Sequence, residues 1–208
     1  MLKKALSMTD LMRMNRKVYD FEGEWQEAFG QPEQNGVWFI WGRSGNGKTS
    51  FVLQLCKELT RYGKVAYDSL EEGSSLTIQN ALVRVGMGDV GSNFMLLNDS
   101  FAELDDRLSR RRAPDIVVVD SFQYAHISLG EYEAFCKRHA GKLIIFISQA
   151  DGLKPLGRTA QSAMYSASLK IWVEGYRAIS KGRYFGNRGY YTIWEERAAE
   201  YWNKGNNK

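Results

Sequence analysis

Cysteine and histidine are scarce: Cys56 and Cys136, His126 and His139 are the only ones in 208 residues. Both cysteines fall in apolar, helix-like segments without metal-ligand spacing, so two reduced core thiols are expected and a structural zinc site is not. Nowhere does the chain approach the roughly 18 consecutive apolar residues that a membrane span needs. The opening residues bring in Lys3 and Lys4, then Thr9 and Asp10, which interrupts any apolar segment of signal-peptide length. A soluble, cytoplasmic protein without a membrane partner is therefore expected. Repeats and low-complexity tracts are also missing, apart from a short polar tail, Asn203 to Lys208, expected to fray.

What is present suits one domain. An apolar content of 44% over this length supports a real core, and no second catalytic domain fits beside it. Net charge is +4. Its distribution is uneven: from Asp151 to Tyr191, Lys154, Arg158, Lys170, Arg177, Lys181, Arg183 and Arg188 face only Asp151 and Glu174. A basic last third points to an anionic partner.

Residues 1–35 read as an N-terminal helical arm, with Thr9 or Asp10 capping Leu11 to Met14 and a second helix from Gly23 to Phe29 stopping at Gly30. Leu11, Met12, Met14 and Val18 offer an apolar face for a neighbouring copy or for the chain's own domain. Residues 36–208 then alternate apolar strands with helices. The strands read are Val37 to Trp41, Lys64 to Asp68, Phe94 to Leu97, Ile116 to Val119, Leu143 to Ile147, Leu169 to Val173 and Tyr190 to Trp194. Helices are read from Lys48 to Tyr62, after Ser74 or Ser75, after the Ser100/Glu103 capping box, and from Tyr132 to His139. Continuous apolar strands separated by helices predict an α/β fold: a mainly parallel central sheet with helices on both faces and a C-terminal antiparallel extension.

Between the first strand and its helix stands Gly42-Arg43-Ser44-Gly45-Asn46-Gly47-Lys48-Thr49, which matches G-x-x-x-x-G-K-[ST] in its required context. Glycines free the backbone N–H groups to wrap phosphates, the helix start adds its positive dipole end, Lys48 reaches the β- and γ-phosphates, and Thr49 ligates Mg²⁺. With Ser50 these residues form the predicted ATP site. Asp120 closes the run Ile116 to Val119, the place of a second metal ligand at the C-terminal edge of a parallel sheet. Glu71, just past the second strand, stands where a base would orient the attacking water.

The segments Ser69-Leu70-Glu71-Glu72, Leu97-Asn98-Asp99-Ser100, Val118-Val119-Asp120-Ser121, Ile147-Ser148-Gln149 and Ser180-Lys181-Gly182-Arg183 follow the order and spacing of the RecA-like P-loop ATPases. The chain most resembles the ATPase domain of DnaB-type replicative helicases and RecA-type recombinases, over roughly residues 36 to 194. That resemblance implies Glu71 as catalytic base, with Glu72 the neighbour one register away, and Gln149 as γ-phosphate sensor. Lys181 and Arg183 it implies as fingers reaching a neighbouring subunit's site. It further implies an oligomeric, Mg²⁺-dependent ATPase acting on single-stranded DNA in recombination or replication. Lys154, Arg158, Arg177 and Arg188, among Tyr165, Tyr176, Tyr184, Phe185 and Tyr190, supply the charges and rings such a strand uses. Two alternatives remain open at this stage. One is a P-loop small-molecule kinase, for which Arg110 to Arg112 would have to serve as a lid; the other is a non-catalytic module whose assembly ATP controls.

Overall fold

The computed structural model describes residues 5–203, so Lys3, Lys4 and the tail beyond Asn203 lie outside the described residues. Strands β1 (Gly36–Gly42), β2 (Val65–Ser69), β3 (Phe94–Leu97), β4 (Ile116–Asp120) and β5 (Leu143–Asp151) are all parallel. A two-residue strand, β6 (Lys154–Pro155), folds back on the end of β5, and β7 (Leu169–Glu174) runs parallel to β1. The antiparallel extension is β8 (Arg177–Ser180) and β9 (Tyr190–Thr192), giving the order β3-β2-β4-β5-β1-β7-β8-β9.

Right-handed crossovers decide which face each helix covers. From β1 to β2 to β3 the chain moves one way across the sheet, so α3 (Lys48–Leu59) and α4 (Leu76–Val85) share one face. From β3 through β4 and β5 to β7 it moves the other way. That puts α5 (Phe101–Ser109), α6 (Leu129–Arg138) and α7 (Arg158–Ser166) on the opposite face. Alternate strand residues accordingly feed two cores: Trp38 and Ile40 pack with Phe51, Leu55 and Ile78, while Phe39 and Trp41 pack with Leu104, Phe135 and Met164. Burial on both faces is why these strands are apolar without alternation.

Helix starts follow local chemistry. Ser75, Ser100 and Ser128 each accept a backbone N–H at an N-cap, and Ser100/Glu103 forms its expected capping box. An equivalent box at Ser128/Glu131 starts α6 three residues before the expected Tyr132. In α1 (Met8–Met12) the cap is Ser7 rather than Thr9 or Asp10, and the Asp10 carboxylate accepts the Ser7 N–H in return. Helix α3 stops at Leu59, short of Tyr62. Helix α7, strand β8 and α8 (Glu195–Asn203) were not legible as elements in the sequence pattern.

The segment before β1 divides in two. Leu6, Met8, Leu11, Met12 and Met14 are exposed, whereas Tyr19, Phe21 and the end of α2 (Gly23–Phe29) are buried in the core shared with α3. Trp25 of α2 stacks on Tyr191 of β9 at 4.1 Å. Both cysteines are free, Cys56 buried and Cys136 half-buried, with burial raising the Cys136 thiol to about 11. Among the described residues no helix is long and apolar enough to cross a membrane.

Candidate functional site

Adjacent strands β1 and β5 send their crossovers to opposite faces, which opens a crevice between their C-terminal ends. The register sets Gly42 beside Gln149 and Ser69 beside Asp120 along that rim. Gly42 must be glycine, because a Cβ there would stand 2.3 Å from the Val173 carbonyl oxygen of β7. At the other end of the loop Gly47 takes φ +94° as the N-cap of α3, and no side chain caps that helix. The first-turn N–H groups of α3 are thus left for an anion.

A cleft of about 630 Å³ collects Ser44, Gly45, Gly47, Lys48, Thr49 and Ser50 with Glu71, Glu72, Asp120, Ser121 and Gln149. The predicted residues Gly42, Arg43 and Asn46 do not line it and support it instead. The Arg43 carbonyl accepts Lys48 Nζ at 3.0 Å, and Asn46 Oδ1 accepts the Gly175 N–H at 2.8 Å. Burial lowers the Lys48 pKa, opposed by the charges of Asp120 and Glu71. Burial also raises the Asp120 carboxyl to about 6; the hydrogen bond donated by Tyr67 works against this, while Glu71 and Glu72 add to it.

These residues fit Mg²⁺. Thr49, Asp120 and Ser121 present oxygen donors only, and the Ser121 hydroxyl is buried with no hydrogen-bond partner among the described residues. Mg²⁺ takes only one or two carboxylates from a protein, because it keeps several waters and phosphate oxygens in its shell.

Glu71 and Glu72 part company here. The Glu72 carboxylate is held by the Ser75 and Thr77 hydroxyls at the start of α4. Glu71 instead accepts Gln149 Nε2 at 3.4 Å, and its backbone N–H is anchored on the Asp120 carbonyl at 3.2 Å. Lys48, Thr49, Glu71, Asp120 and Gln149, distant in sequence, thus share one cleft. Lys181 and Arg183 lie outside it, exposed on the connection after β8.

Sequence reasoning missed Trp194 and Arg197 as neighbours of the site and placed Tyr176 only among the rings for a nucleic-acid strand. Tyr176, Trp194 and Arg197 form the outer wall, with the Arg197 guanidinium 5.2 Å from the Trp194 ring centre. Gln123, behind Gln149, was missed as well. None belongs to a motif: Tyr176 sits in the turn between β7 and β8, Trp194 just before α8 and Arg197 in the first turn of α8. Two expected phosphate contacts are engaged internally: Arg177 lies over Tyr190 and Trp202, and Arg188 lies over Tyr190 beside Glu24 and Glu27.

Sheet order, glycine loop and rim acids together define an α/β domain of the RecA-like P-loop fold. Solved structures with this architecture include the flagellar accessory protein FlaH from Methanocaldococcus jannaschii (TM-score 0.60, 15% identity, 85% of this chain and 92% of that one). A KaiC-like protein from Pyrococcus horikoshii OT3 superposes with TM-score 0.58 at 13% identity over 80% of this chain and 94% of that one. A third solved structure, itself an isolated ATPase domain, does so with TM-score 0.54 at 16% identity over 79% and 84%. No protein-family model and no curated protein sequence matches the chain.

Proposed function

We propose that the chain is a Mg²⁺-dependent ATPase of the RecA/DnaB type that acts on single-stranded DNA as an oligomer. The observation that carries the hydrolytic reading is the meeting of Glu71 with Gln149 opposite Lys48 and Asp120, an acid facing the phosphate cradle with an amide to orient it. Mg²⁺, held by Thr49 and Asp120, would supply Lewis-acid neutralisation of the phosphate charge. Loop N–H groups and Lys48 bind and align the triphosphate, with Ser44 to Ser50 fixing its position. Glu71 takes the proton of the attacking water and Gln149 fixes that carboxylate's orientation.

Lys154 in β6 and Arg158 at the start of α7, both exposed, supply phosphate contacts on the same rim. Lys181 and Arg183, outside their own chain's cleft, suit charge stabilisation in a neighbour's site. Steady-state ATP hydrolysis with and without single-stranded DNA tests the reading. Stimulation is expected; phosphoryl transfer to a nucleoside would select the kinase alternative, and binding without turnover would select the assembly module. Light scattering with and without a non-hydrolysable ATP analogue tests the oligomer, and a strict monomer under both conditions counts against the fingers.

A further inference from the structure

Behind Gln149 lies a closed ring of hydrogen bonds that the catalytic outline leaves unused. Gln123, in the turn after β4, donates from Nε2 to Ser148 Oγ at 2.8 Å and to the Leu156 carbonyl at 2.9 Å. Its Oε1 accepts the Gln149 N–H at 3.2 Å. The Leu156 N–H returns to the Gln149 carbonyl at 2.9 Å, and the Ser148 hydroxyl donates to that same carbonyl at 2.8 Å. A primary amide has two donors and one carbonyl acceptor. With both donor bonds spent on Ser148 and Leu156, the Gln123 carbonyl oxygen is turned onto Gln149.

Strand β5 ends its pairing with β1 at Gln149, and beyond it Ala150 and Asp151 pair only with Pro155 and Lys154 of β6, so the central ladder no longer fixes the backbone there. The Gln123 amide and the turn carrying Leu156 do so instead. Gln149 in turn reaches Glu71. The path therefore runs without a gap from the exposed turn at Leu156, through Gln123, to the carboxylate facing the phosphates.

Resting on the hydrolytic reading of Glu71 and Gln149, we propose that Gln123 is a positioning residue: it sets the Gln149 backbone, and with it the side chain that orients Glu71. It does not line the cleft that holds Lys48, Glu71 and Asp120. Misplacing an orienting group by a fraction of an ångström lowers turnover without weakening substrate binding.

The test is a double-mutant cycle on the full chain. Gln123→Ala is expected to lower kcat about tenfold while leaving the Kd for Mg-ATP unchanged. Adding it to Gln149→Ala is expected to cost nothing further, because one acts through the other. Gln123→Glu keeps an acceptor for the Gln149 N–H but sets a carboxylate oxygen against the Leu156 carbonyl. It is expected to retain most of kcat while amide hydrogen exchange rises in residues 152–157. Far-ultraviolet circular dichroism and thermal midpoints establish that each variant is folded.

Gln149→Ala with reduced kcat beside Gln123→Ala at wild-type kcat would overturn the proposal and leave the sensor standing. Additive losses in the double variant, or an equal loss of nucleotide affinity, would overturn it too. Gln149→Ala at wild-type kcat would remove the sensor and this proposal together.

Discussion

Asn46 Oδ1 accepts the backbone N–H of Gly175 at 2.8 Å, tying the glycine loop to the turn between β7 and β8. Asn46→Ala should lower stability by about 1 kcal/mol and weaken nucleotide binding several-fold, read by thermal unfolding and fluorescent-nucleotide titration. Gly175→Ala should be worse. A Cβ there stands 2.2 Å from Tyr201 Cδ1, and φ is +52°, so a loss of about 1–3 kcal/mol is expected.

Glu71→Gln should bind Mg-ATP as the wild type does yet lower kcat about 10²–10⁴-fold, the range expected for removal of a general base. Glu72→Gln should leave kcat near wild type, because that carboxylate serves the start of α4. Single-turnover hydrolysis compared with equilibrium binding separates the two, and equal losses in both variants would contradict the assignment.

Asp68 is fully buried; its Oδ1 accepts the Asp99 N–H at 2.9 Å, and Oδ2 has no partner among the described residues. Burial raises its pKa from 3.8 to about 6. Below about pH 4 the group is protonated both folded and unfolded and costs nothing extra. Between about pH 4 and 6 the unfolded chain ionises this carboxyl while the folded protein keeps its proton, so stability falls; above about 6 the folded protein carries the buried charge and the loss is complete. Asp68→Asn should therefore stabilise by about 1–3 kcal/mol at pH 8 and by little at pH 4, as measured by denaturant unfolding at the two pH values.

Removing Lys154 or Arg158 should each reduce the slope of log affinity for single-stranded DNA against log salt by about one. Arg177→Ala and Arg188→Ala should leave that slope unchanged and lower the thermal midpoint, since both guanidinium groups are stacked on Tyr190. A slope that changes with Arg177 and not with Lys154 would reverse the assignment.

Much of the core was legible from residues alone. Runs such as Ile116 to Val119 and Leu143 to Phe146 are buried on both faces, so hydrophobicity marks them without any pairing information. Gly42 to Thr49 was legible for a different reason: phosphate wrapping needs glycines, a lysine and a hydroxyl at fixed local spacing, and local spacing is what a sequence displays. Strand β8 and helices α7 and α8 were hidden. Arg177 to Ser180 is half polar and is held by pairing with β7 and β9, and α8 is fixed by contacts such as Trp202 with Gly175.

Consecutive residues are enough to specify an α/β chain with a phosphate loop after its first strand and an acid at the end of a later one, because those features are written locally. It takes the folded chain to establish that Glu71 rather than Glu72 faces Gln149, that Gln123 stands behind it, and that Arg177 and Arg188 are engaged internally. Each of these depends on which residues from distant segments meet at the rim of the sheet. That is set by crossover handedness and strand register, which the order of residues implies only after the whole chain has folded.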